Sequence, residues 1–262
     1  MEKSYGSKTK LTLLSTIAAV ALLSLAGVAN ADSSPRMVGS QWAVFEENTL
    51  PNGDLHFFPA THATTIPTGG VEFPFPDATS PSPTYVNFIL NTFTTSLIES
   101  NTITATIRVT TSSLLTTFVG NPNGGCPGAS TSTCPGTVRL FIQSNLPSDG
   151  SAFCVGGNKN VNNYWWSNTP VTATLVSPGS YYLFTTGGSG GTVTLSVPLS
   201  PSDWSNICGQ FGTSNLPAFD SAIANIKYVA LSFGSGFFFS NGVGVDGTTG
   251  TATFQLISYT IS

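Results

Sequence analysis

The sequence predicts an all-β fold, a two-sheet antiparallel β-sandwich of the jelly-roll type carrying one or two short helices. Three observations predict it. Apolar and polar residues alternate with period two in about nine short segments. Clusters of glycine, asparagine and proline separate those segments, and only two stretches carry helical signals. An immunoglobulin-type sandwich is the alternative, but it usually has fewer helical insertions and a Cys-Trp-Cys arrangement that this spacing does not reproduce.

Gln41–Glu46 and Tyr85–Leu90 are the first two strands, noisy in their alternation. Across Asn101–Thr110 the pattern is clean: Ile103, Ala105, Ile107 and Val109 share one face, Thr102, Thr104, Thr106 and Arg108 the other. That is a strand covering a core on one side only. Thr137–Gln143, Tyr164–Ser167 and Tyr181–Thr185 follow, and Thr192–Leu199 turns Val193, Leu195, Val197 and Leu199 inward. Tyr228–Phe233 and Thr251–Ile261 complete the set, and a phase shift between Leu256 and Ile257 predicts a β-bulge. Ser200-Pro201-Ser202-Asp203 reads as a capping box with proline at the first helical position, starting a turn or two that carries Trp204, Ile207 and Cys208 inward. Pro217–Ile226 puts Phe219, Ile223 and Ile226 on one helical stripe. Between Phe57 and Pro83 the repeated prolines exclude a central strand, so that stretch reads as an extended connector.

The organisation that follows is a signal peptide at 1–31, an N-terminal strand with its Pro/Thr/Ser-rich connector at 32–83, and a sandwich at 84–262 on which 32–83 packs as one domain. Lys3, Lys8 and Lys10 precede the apolar run Leu11–Val28, and Ala29-Asn30-Ala31 supplies a cleavage site before Asp32. The expected location is therefore secreted, extracellular. Retention as an N-terminal anchor is the other reading, at a length marginal for a span.

Beyond the signal, Arg36, Arg108, Arg139, Lys159 and Lys227 face eleven acids, a net charge of −6. A chain so poor in bases has no patch to displace counterions from a phosphate backbone, so nucleic acid is excluded as a partner. Four cysteines in an exported chain read as two disulfides. Of the three pairings, Cys126–Cys134 and Cys154–Cys208 are favoured, one closing a turn-rich loop and the other tying distant segments. Zinc is the competing use, but no Cys-x-x-Cys is present and His56 and His62 lie far upstream, so no metal site is assigned.

From RLFIQ (139–143) through YWWSN (164–168), PLSPSDWSNICGQ (198–210) and AFDSAIANI (218–226) to FGSGFFFSNGVGV and GTATFQLISY within 233–259, the succession resembles a group of exported bacterial proteins with a galactose-binding-like β-sandwich. It is similar in outline to jelly-roll carbohydrate-binding modules. The resemblance spans about half of the chain, supplies no catalytic residues and implies sugar binding through likeness of fold alone. Members of that group often end in a membrane-sorting tail, whereas this chain stops on a strand at Ser262, so release rather than anchoring is expected.

Sugars stack their C–H faces on aromatic planes while amides take the hydroxyls. Tyr164, Trp165 and Trp166, with Asn162, Asn163 and Asn168, are the ligand-binding candidates. In a strand Trp165 points away from Tyr164 and Trp166, so one aromatic face is exposed or covered by a loop. Phe237-Phe238-Phe239 likewise puts a ring outside. Two motif matches are rejected. The 187–191 run GGSGG fits G-x-S-x-G without the strand-to-helix context or a downstream histidine. The 242–247 run GVGVDG fits G-x-G-x-x-G with no helix behind it. No carboxyl pair is singled out for glycoside hydrolysis, because Glu46 and Glu47 are adjacent and Asp203, Asp220 and Asp246 have cap or turn roles. No cofactor is expected; jelly-roll modules often hold a structural calcium, but no ligands can be nominated.

The leading expectation is a non-catalytic secreted sandwich binding glycan or cell-surface polymer. A structural or adhesive surface or filament component, with Gln41–Glu46 and its connector pairing with a neighbour's sheet edge, is the runner-up. A polysaccharide-active enzyme is third.

Overall fold

A computed structural model describes residues 34–50, 55–113, 115–121, 136–147, 161–168, 173–175, 192–235 and 242–262. Ser34–Ser262 forms one compact unit. In chain order the strands are β1 (Trp42–Thr49), β2 (Leu55–His62), β3 (Thr64–Thr65), β4 (Val71–Pro74), β5 (Tyr85–Thr92), β6 (Thr102–Thr111), β7 (Phe118–Gly120) and β8 (Gly136–Ser144). After them come β9 (Tyr164–Ser167), β10 (Ala173–Leu175), β11 (Thr192–Pro198), β12 (Trp204–Asn206), the helix α1 (Leu216–Ala224), β13 (Ile226–Ser235), β14 (Val243–Val245) and β15 (Ala252–Ile261).

They make two antiparallel sheets. The larger runs β12-β9-β8-β13-β5-β1-β2, with β10 added on β8 and β14 joining β5 to β7; the smaller runs β11-β6-β15-β4-β3. The inner faces meet in a single core. From the small sheet it takes Ile103, Ala105, Ile107 and Val109, all fully buried, the row that alternation on β6 selects. The large sheet contributes Val138, Leu140, Ile142, Val229, Leu231 and Phe233. Phe73, Phe75, Phe233 and Phe254 pack edge to face or stacked at 5.0–6.2 Å in the middle. On β15 the register slips between Leu256 and Ser258, placing the expected bulge at Ile257. Gly70, at φ +95, backs onto that bulge; a Cβ there would lie 2.6 Å from the Leu256 carbonyl.

Three expectations need correction. The Phe57–Pro83 stretch is not a connector, since it supplies most of β2 and all of β3 and β4. Its prolines are accommodated because Pro59 lies on an edge strand and Pro74 at a strand end. The Ser200 capping box makes only a single 3-10 turn, Pro201–Asp203, without a side-chain cap bond. Trp204 then enters a strand, because its neighbours Ser167 and Trp166 on β9 offer a ladder that a helix could not use. Finally β1 is interior, paired to β2 on one side and β5 on the other, so it has no free edge for a neighbour.

α1 forms where the Phe219 stripe predicts, burying Phe219, Ala222 and Ile223, but ends at Ala224, and Ile226 opens β13 instead of closing the stripe. The strand expected at Tyr181–Thr185, the Gly-rich run 187–191 and Phe237–Phe239 lie outside the described residues, as does the signal peptide. Val243–Val245 is a strand followed by a turn. Among the described residues no helix is long and apolar enough to cross a membrane.

Candidate functional site

Alternation that sends half of each strand into the core sends the other half outward, and on the large sheet the outward half is rich in aromatic rings. Pairing fixes it into three rows. One row runs Trp166, Phe141, Ala230, Leu90, Ala43, His62 across β9, β8, β13, β5, β1 and β2. Beside it runs Tyr164, Gln143, Tyr228, Thr92, and on the other side Arg139, Ser232, Phe88, Phe45, Pro59. Phe141 is the hub, with ring centroids 4.8 Å from both Phe88 and Trp166 and 6.4 Å from Tyr164. Trp166 and Leu90 are buried in this second cluster, while Phe45, Phe88, Tyr164 and Tyr228 are half-buried at its surface.

At the β1 end the rows open into a pocket of about 420 Å³ lined by Ser40, Gln41, Ala43, Phe45, His62, Leu90, Thr92 and Tyr228. Its lining mixes the apolar Ala43, Phe45 and Leu90 with the polar Ser40, Gln41, His62, Thr92 and Tyr228, the combination a pocket needs to hold and orient a small ring. Lys227 Nζ lies 5.0 Å from the Tyr228 ring centroid. Arg139 is buried, and desolvation holds its guanidinium below the ordinary value. None of the row residues is a carboxylate.

The platform expected of Trp165 and Trp166 is absent. Trp165 is fully buried on the core side, edge-on to Phe219 at 5.1 Å, with Nε1 donating to the Asn162 carbonyl at 2.8 Å. Trp166 is 1 % exposed under its aromatic neighbours. The other indoles are equally sealed: Trp42 donates to the Arg36 carbonyl and Trp204 to the Pro198 carbonyl. The asparagines are spent on structure. Asn163 accepts from Ser144 Oγ and the Leu146 N–H and donates to the Leu146 carbonyl. Asn168 Nδ2 donates to the Ser202 carbonyl at 2.6 Å. Of the six candidates, Tyr164 is the one ring left half-buried at the surface of the outer face.

Phe45, Phe88, Phe141, Tyr228, Arg139, Gln143, Gln41 and His62 were the residues a search for exposed indoles passes over. The alternation of Thr137–Gln143 and Tyr228–Phe233 holds the signal for half of them, because Arg139, Phe141 and Gln143 occupy every second position between core residues.

A separate polar cluster lies inside. Glu47, fully buried, accepts from Asn87 Nδ2 at 2.7 Å and Asn121 Nδ2 at 2.6 Å. Burial pushes its carboxyl up to about 7 against those two bonds, and desolvation together with the Glu47 charge raises Tyr85. Glu46 turns to Thr84 instead, raised by partial burial. The two acids thus part company as strand neighbours must. Among the described residues no three His, Cys, Asp or Glu gather to hold a metal ion, and no cysteine is free. Cys126, Cys134 and Cys154 lie outside the described residues.

No protein-family model matches the chain, and no curated protein matches it. Two similar solved structures are a cysteine-substituted variant of alginate lyase A1-II', at 14 % identity and TM-score 0.29, and alginate lyase A1-II' of polysaccharide lyase family 7, at 13 % and 0.27. Each pair covers 85 % of this chain and 94 % of the other. Both of those proteins are lyases, and the expectation of a non-catalytic protein is not carried forward.

Proposed function

We propose that this chain is an exported β-sandwich that binds a polysaccharide along the outer face of its large sheet, with the pocket beside Tyr228 as the principal sugar subsite. One observation carries the reading: pairing aligns Tyr164, Tyr228, Phe88 and Phe45 with Gln143, Thr92 and His62 on one face that ends in a pocket. Half-buried rings supply C–H stacking surface and the amide, hydroxyl and imidazole groups supply hydrogen bonds. The absence of carboxylates from these rows, with Arg139 and Lys227 near them, lets an anionic chain approach an otherwise acidic protein without repulsion.

The test is binding of neutral and uronate-containing polysaccharides by the exported protein and by Tyr228→Ala and Phe88→Ser. Loss of at least about tenfold in affinity in both supports the reading, since a buried stacking contact is worth about 1.4 kcal/mol or more. Equal binding by all three proteins, or none by the first, ends it. Chain shortening in the same incubations reports turnover.

Export by the 1–31 signal, cleavage before Asp32 and the disulfides Cys126–Cys134 and Cys154–Cys208 belong to the same proposal. Ser34 Oγ accepts from the Ile261 N–H at 3.0 Å, so the folded unit begins close behind that cleavage site. Intact mass and unreduced peptide mapping of protein from the culture medium check all three.

A further inference from the structure

Val86 and Ile89 both face the core although they stand three apart on β5, a spacing that an uninterrupted strand does not allow. Phe45 pairs with Phe88 and Glu46 with Val86, so Asn87 is the extra residue of a β-bulge. Its side chain is fully buried, with Nδ2 on Glu47 Oε2 at 2.7 Å. The other carboxylate oxygen takes Asn121 Nδ2, just past β7, at 2.6 Å. Gly242, just before β14, closes over the group at φ +71, where a Cβ would lie 3.0 Å from Oε1. One carboxyl on β1 thus hydrogen-bonds to β5 and to the end of β7, with the start of β14 packed close against it.

A single inserted residue decides which face every later side chain takes. Without Asn87 in the bulge, Phe88 would fall on the side of Val86, and the outer face would lose the ring that meets Phe141. We propose that Glu47 is a positioning residue, holding through Asn87 the bulge that turns Phe88 outward, and that its ionisation makes ligand binding on the outer face depend on pH. The pH-dependent binding rests on the reading of that face as a polysaccharide site; the positioning of Phe88 does not.

The ionised carboxylate accepts both carboxamide bonds. Once protonated, one of its oxygens becomes a donor and one bond is weakened or lost. Among the described residues Tyr85 on β5 is the titratable group that faces Glu47, while Phe57, its partner on β2, Asn121 beside β7 and Gly242 beside β14 add none. Burial lifts Glu47 to about 7, which brings the change into the neutral range.

Two readouts between about pH 5.5 and 8.5 test this, in the unsubstituted protein and in Glu47→Gln. One is affinity for the polysaccharide bound in the assay above; the other is the NMR signal of the Phe88 ring in phenylalanine-labelled protein. Affinity is expected to weaken about fivefold as pH falls through the neutral range, the effect of one hydrogen bond. The Phe88 signal should titrate with the same midpoint, and Glu47→Gln should flatten both. If no polysaccharide binds at all, the reading of the face fails, and the Phe88 titration still decides the positioning role. A Phe88 signal indifferent to pH, or a profile unchanged in Glu47→Gln, overturns the proposal. Should Glu47→Gln fail to fold, the titration of the unsubstituted protein decides alone.

Discussion

The rings of Phe88 and Phe141 meet at 4.8 Å across a strand that lies between theirs. β13 separates β5 from β8 and presents Ala230 opposite both Leu90 and Phe141. Ala230 is fully buried, so its small side chain is the space over which the rings close. Ala230→Leu should therefore overpack the outer cluster and part Phe88 from Phe141. The expected loss is about 1–3 kcal/mol in urea unfolding with an unchanged denaturant slope. A variant as stable as its parent would show that the rings meet independently of Ala230.

Much of this architecture was legible because β6 and β11 alternate cleanly and β8, β13 and β15 alternate well enough to mark their core faces, and even the bulge at Ile257 shows as a slip of apolar phase. The site was not. Indoles draw attention as sugar platforms, yet in Trp165 and Trp166 both faces of one strand are covered, one by the core and one by a second aromatic layer. Nothing local announces that layer, which exists only once β8, β13 and β5 lie side by side. The bulge at Asn87 hid Phe88, because counting by twos from Val86 puts that ring inside. Prolines misled in the same way around Pro59, since position at a sheet's edge is a property of topology rather than of the segment.

Asn163 should behave as a structural residue. It is buried and clamps both backbone groups of Leu146 as well as Ser144 Oγ. Asn163→Ala leaves those groups without their partner and is expected to cost about 2–3 kcal/mol. Affinity for polysaccharide in the folded fraction should not change. A stable Asn163→Ala protein with weakened binding would return this residue to the site.

Pro59 guards an open edge. Among the described residues β2 pairs only with β1, and its sequence LHFFPATH carries no lysine or acid, with Phe57 49 % exposed. Long apolar edges invite pairing with another chain, and a residue without an N–H interrupts the template. Pro59→Val should therefore raise self-association, seen by light scattering as larger species growing with concentration. Identical scattering from both proteins would mean the edge is protected by something other than the proline.

The pH dependence of stability has a fixed sign. Glu47 binds its proton more tightly in the fold, about 7 against an ordinary 4.5, so between those values the native state holds the extra proton. Its contribution is complete below about pH 4.5 and is lost as pH rises toward 7, a change of about 3 kcal/mol. Glu46, raised by partial burial, acts in the same direction on a more exposed group. Urea midpoints from about pH 4 to 8 should fall across that window in the unsubstituted protein and fall much less in Glu47→Gln. A glutamine side chain cannot ionise, so the relative advantage of that variant should be greatest at the alkaline end. Parallel curves for the two proteins would mean that Glu47 titrates in the fold as it does in the unfolded chain, and that burial has not shifted it.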